Sequence, residues 1–139
     1  MAATPDPTPP TIAWIERLAL WTDAPERLRD FYSQLLGACA APLNEDPATG
    51  LRSVRLDFCG VQLELIQPPA TAEPALSERQ RAGHAQLGLA LGSADAVDQL
   101  SRRLLAAGHP VVEPPRRTRD GRYECLALDP DGNRISLTV

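Results

Sequence analysis

The chain has 139 residues and a formal net charge of −4 at pH 7, a size that fits one domain able to bury a single core without disulfides or metal. The negative balance leaves no basic field for a phosphate backbone, so nucleic-acid binding is excluded as a main role. All 14 basic residues are arginine, which also excludes Schiff-base chemistry on a lysine.

Residues 1–11 are rich in proline and threonine and lack both a basic start and an apolar stretch. They are expected to form a disordered lead-in and not a secretory signal. Ile15 to Trp21 alternates: Leu18 and Leu20 point to one face, Arg17, Ala19 and Trp21 to the other, which predicts a half-buried strand. Thr22-Asp23 is the expected N-cap of a helix whose first turn holds Pro25. Leu28, Phe31, Tyr32, Leu35 and Leu36 form its apolar stripe, and Gly37 stops it. A loop through Pro42 and Asn44 to Pro47 follows, with a weak strand near Leu43. Leu51 to Phe58 and Val61 to Gln67 then predict two strands, ending at Pro68-Pro69.

Residues 70–83 form the expected linker. Beyond it the order repeats: a strand from Ala85 to Leu91, then a helix from Asp95 to Ala107. Val97, Leu100, Leu104 and Leu105 make the helix's apolar face, and Gly108 closes it. Strands are expected at Val111-Val112, Tyr123 to Leu128 and Arg134 to Val139, with Asp129 to Asn133 as the tight turn before the last. Arg116-Arg117-Thr118-Arg119 is expected to be a solvated loop, and His109 a surface turn residue. The division is therefore module one over 12–69 and module two over 84–139, within one domain over 12–139. Arg17 and Gln86 open the two halves, and Glu64 and Ser136 close them.

Cys39, Cys59 and Cys125 are odd in number, far apart and free of any C-x-x-C pair, which fits a reduced, cytoplasmic setting. No apolar run approaches the roughly 20 residues that span a bilayer, so no membrane partner is expected. The turn beginning at Asp129 lacks the spaced acids of a calcium loop. Phosphate-cradling glycine loops are absent too.

Two stretches carry a resemblance. Asp23 through Phe31-Tyr32 to Leu36-Gly37 looks like the first helix, and Leu128-Asp-Pro-Asp-Gly-Asn-Arg-Ile135 like the last hairpin, of the vicinal oxygen chelate superfamily. That superfamily includes glyoxalase I, bleomycin- and fosfomycin-resistance proteins and extradiol dioxygenases. The resemblance implies an α+β fold of two tandem β-α-β-β-β modules curved into an open, cupped eight-stranded barrel. Paired modules and open sheet edges also imply a homodimer.

The resemblance further implies a divalent metal, held by His or Gln with Glu on the first and last strands of each module. Those positions here are Arg17, Glu64, Gln86 and Ser136. Glu64 and Gln86 are of a permitted type; Arg17 has no lone pair to give and would repel a cation. A serine hydroxyl is a poor substitute for a carboxylate. The expectation is a degenerate metal site, no cofactor, and a cavity that binds a small anionic or aromatic molecule. Arg17 pairs with Glu64 there in place of the ion. Trp21, Gln62, Ala90, Arg134 and Thr138 join that cavity by alternation.

The alternative is an enzyme of the lyase, isomerase or dioxygenase kind. It would recruit zinc, nickel, manganese or iron through Glu64, Gln86 and His84, although His84 reads more simply as a linker histidine at a strand entrance. Glu64 is the candidate general base for metal-free catalysis, a role that a paired arginine weakens.

Overall fold

The structure is a computed structural model, and it describes residues 15, 17–69 and 86–139. The expected lead-in over 1–11, the linker over 70–83 and His84 lie outside the described residues. Two modules with the same order of elements account for the rest. The first comprises β1 (Arg17–Trp21), α1 (Pro25–Gln34), β2 (Cys39–Ala40), β3 (Asn44–Glu45), β4 (Arg52–Phe58) and β5 (Val61–Gln67). The second comprises β6 (Leu87–Ala90), α2 (Ala94–Ala106), β7 (Val111–Arg117), β8 (Tyr123–Leu128) and β9 (Arg134–Thr138).

Each module folds into its own sheet, ordered β1-β5-β4-β2 in one, with β3 also on β4, and β6-β9-β8-β7 in the other. In both, the first strand runs parallel to the last, Ala19 opposite Glu64 and Gly88 opposite Ser136. Arg17 and Gln86 therefore hold equivalent places, two residues before the partner of the closing side chain. Among the described residues no strand of one sheet lies alongside a strand of the other. The fold is cupped and open, not a closed barrel.

Alternation explains how the sheets bury one face. Leu18, Leu20, Val54, Leu56, Leu63 and Leu65 turn towards Leu28, Phe31 and Tyr32 of α1, while Cys125, Ala127, Ile135 and Leu137 turn towards Val97, Leu100 and Leu104 of α2. All of these belong to one cluster, so the modules share a core. Contacts between the modules are specific. The Phe31 ring meets the His109 ring edge to face at 4.8 Å. The Tyr32 hydroxyl donates to Asp129 at 2.8 Å, and Thr22 and Arg27 both donate to Asp131. His109 is thus half-buried at the junction, not a bare surface turn.

Local signals were overruled in four places. The α1 N-cap is Ala24, without a side-chain bond; Thr22 spends its hydroxyl as donor to Asp131 and accepts from Ala24 N–H. Ser93 caps α2, accepting from the Ala96 N–H, so that helix begins one residue before Asp95. Leu105 is 57% exposed, outside the buried stripe. β7 extends from Val111 through Pro114-Pro115 to Arg117, tolerated because it is an edge strand with two register shifts. Arg116 and Arg117 consequently belong to a strand and not to a solvated loop. Among the described residues no helix is long and apolar enough to cross a membrane.

Candidate functional site

The face of the first sheet that turns away from α1 carries most of the chemistry. Strand register lays its side chains out in three rows across β1, β5 and β4. Arg17, Gln62 and Asp57 form one row, Ala19, Glu64 and Arg55 the next, and Trp21, Ile66 and Ser53 the third. A guanidinium nitrogen of Arg17 stands 3.1 Å from Glu64 Oε2, with the two side chains 46% and 15% exposed. Arg55 is exposed and lies directly across the strands from the same Glu64. No carboxylate among the described residues forms an ion pair with Arg55. Two guanidiniums thus flank Glu64, and with Asp57 on the same face the rows carry two positive and two negative side chains. Trp21, one row along, is 47% exposed and outside the core.

Arg55 was missed by sequence reasoning, although alternation through Arg52 to Phe58 could have found it. Val54, Leu56 and Phe58 point to the core, which puts Ser53, Arg55 and Asp57 on the other face.

The corresponding face of the second sheet is differently built. Ser136 is buried and donates to Glu124 Oε2 at 3.1 Å. Glu124 also faces Arg116 at 3.7 Å, and Arg116 pairs with Glu113. Thr138 is opposite Glu124 in register, and Ala90 is opposite Thr138. Glu124 and Glu113 are therefore the carboxylates of this face, Glu124 on the strand beside the one where the family resemblance predicts a carboxylate. Gln86 precedes Gly88 by two, and Arg134 precedes Ser136 by two on β9. They border a groove of about 210 Å³ together with Leu18, Leu20 and Tyr32, on the core side of β1.

Among the described residues no hydrogen bond or ion pair joins the Arg17–Glu64 pair to the Ser136–Glu124 pair, or either pair to Gln86. A divalent ion does not suit this donor set. Where a first ligand would stand, a permanently charged guanidinium already occupies the Glu64 oxygen. No three His, Cys, Asp or Glu side chains among the described residues converge on a point, whereas a catalytic zinc site usually needs three protein ligands.

Because Arg17 is half-exposed, its pair with Glu64 is worth little to stability. Glu64→Ala, Arg17→Ala and the double variant are each expected to lie within about 1 kcal/mol of the parent in urea melts. A loss above about 2 kcal/mol for either single change, relieved in the double, would show a desolvated pair instead.

The model of the Glyoxalase/Bleomycin resistance protein/Dioxygenase superfamily matches residues 14–137. Solved structures agree. A glyoxalase family protein from Enterococcus faecalis superposes with a TM-score of 0.71 at 20% identity, covering 91% of this chain and 97% of that one. A superfamily member from Sphaerobacter thermophilus gives 0.67 at 23% identity, over 91% and 97%. A lactoylglutathione lyase from Agrobacterium tumefaciens gives 0.66 at 22% identity, over 94% and 95%. At such identities the likeness speaks for the fold alone. No protein of curated function matches the sequence significantly.

Proposed function

For this chain, which belongs to the Glyoxalase/Bleomycin resistance protein/Dioxygenase superfamily, we propose a metal-independent role: binding a small anionic molecule with an aromatic or conjugated ring. The observation that carries this reading is the guanidinium of Arg17 on Glu64, at a position where metal-dependent members place a ligand. An organic cation takes the place of the ion there. Arg55 is left without a carboxylate partner of its own and supplies the charge that an anion would meet. Trp21 supplies an exposed ring for stacking. Gln62, between Arg17 and Asp57, offers an amide that can donate or accept. The open outer edges of β1 and β6 support assembly into a homodimer.

The test is direct. Trp21 becomes the sole tryptophan in a Trp14→Phe background, since the chain has two. Its fluorescence is titrated with 2-naphthoate, with 2-naphthamide, and with zinc, nickel, manganese and iron(II). Saturable quenching by the carboxylate, at least tenfold weaker for the amide and lost in Arg55→Ala, is the expected result. Stoichiometric metal binding that disappears in Glu64→Ala would overturn it, as would quenching indifferent to charge.

A further inference from the structure

A second cleft among the described residues reaches the rows of that charged face only through Asp57. It opens where the end of the first sheet abuts β6, has a volume of about 350 Å³, and is walled mainly by Leu36, Phe58, Leu89 and Leu91. That volume falls in the lower range of small-molecule sites. Two of the three cysteines, Cys39 and Cys59, also line it, and both are exposed. The third, Cys125, is buried against α2, where desolvation raises its thiol above the usual range.

Cys59 is placed unusually. It and Gly60 form the two-residue turn between β4 and β5, with φ of 50° and 97°. Such a turn favours Asn, Asp or Gly at its first position. Cys59 is the one non-glycine residue with positive φ among the described residues. The turn is held by Asp57, whose Oδ1 accepts the Gly60 N–H at 3.1 Å. Cys39 faces Asp57 in register, two residues before Cys59, and both cysteines are free thiols. A metal clamp is disfavoured, because among the described residues no third ligand converges on the two thiols. What the cleft does combine is an apolar volume with a soft nucleophile at its wall.

We propose that this cleft captures a compact, uncharged α,β-unsaturated carbonyl compound, with Cys59 as the nucleophile. The thiol loses its proton to water, and the thiolate sulfur bonds to the β-carbon. The π pair of the C=C moves into an enolate, which takes a proton from water at the α-carbon. The product is a thioether; the addition has no leaving group and needs neither oxidant nor reductant. Leu36, Phe58 and Leu89 hold the carbon skeleton out of water before the bond forms.

The test follows Cys59 alkylation in the Cys39→Ser protein by intact mass and peptide mapping, using N-cyclohexylmaleimide and the small hydrophilic maleimide itself. Binding before reaction predicts a rate that saturates with N-cyclohexylmaleimide. After correction for the ratio seen with free glutathione, that reagent should be favoured at least tenfold. The unreactive N-cyclohexylsuccinimide should slow the reaction competitively in the unaltered chain, and Ala90→Arg, at an exposed position on the cleft wall, should abolish saturation. Rates that stay linear, show no preference after correction, or ignore the succinimide would overturn the proposal and leave Cys59 as an ordinary surface thiol.

Discussion

Asp129→Ala is expected to destabilise the protein by about 3–5 kcal/mol, the sum of several stranded donors at roughly 1–3 kcal/mol each. Its carboxylate is only 3% exposed and accepts four hydrogen bonds. These come from the Tyr32 hydroxyl, the Asp131 N–H, the Asn133 N–H and the Asn133 side-chain amide. Alanine leaves the fully buried Tyr32 hydroxyl and two backbone donors without their acceptor. Burial, with Asp129 beside it, raises the Tyr32 phenol far above its ordinary range, so it remains a donor at any working pH. Tyr32→Phe removes one donor and leaves the carboxylate three partners, and should cost about 1–2 kcal/mol. In the double variant the losses should fall short of additivity, since the shared bond can be lost only once. Urea melts at unchanged m-value decide this. A loss below about 1 kcal/mol for Asp129→Ala would mean that the last hairpin is not anchored to α1 as described.

The second large effect divides a single strand into two kinds of residue. Leu65 is fully buried on β5, opposite Leu20 of β1 and Val54 of β4, and Leu65→Ala should cost about 2–5 kcal/mol. Arg55→Ala, across from the adjacent Glu64 but on the opposite face, should change stability by no more than about 0.5 kcal/mol. Binding should respond in the reverse sense. Loss of Arg55 removes the anion's partner, while Leu65→Ala, studied below its unfolding midpoint, keeps the charged row and most of the affinity. If Arg55→Ala also unfolds the protein, the charged face is part of the scaffold and the division fails. Thermal melts alongside the naphthoate titration separate these cases.

Much of this arrangement was legible beforehand because it rests on short-range rules. The period-two pattern in Arg17 to Trp21 and Val61 to Gln67 sorts Leu18, Leu20, Leu63 and Leu65 from Arg17, Trp21 and Glu64. Helical spacing marks Leu28, Phe31 and Tyr32 as core residues, and they are buried. What escaped depends on pairing between distant segments. Thr22 looked like a cap because its type suits one, yet Asp131, 109 residues along the chain, takes its hydroxyl. Arg116 looked like part of a basic, solvated loop run, but as part of an edge strand it reaches Glu113 and Glu124. Glu124 drew no attention because only the register of β8 against β9 brings it to Ser136. Arg134 also borders the junction groove, which only the meeting of the two modules forms.

The last hairpin also bears on the order in which the molecule can be made. Asp129 and Asp131 emerge from the ribosome 97 to 109 residues after their partners Tyr32, Thr22 and Arg27. Half-domains of about 60 residues are marginal by themselves, and α1 lacks a side-chain cap of its own. The first module's phenol therefore waits for its acceptor until 97 further residues have been made. A product cut before Asp129 would keep both helices but lose β9, which joins β6 to β8, and would be an inviting protease substrate, so the hairpin ties the two modules together late in folding.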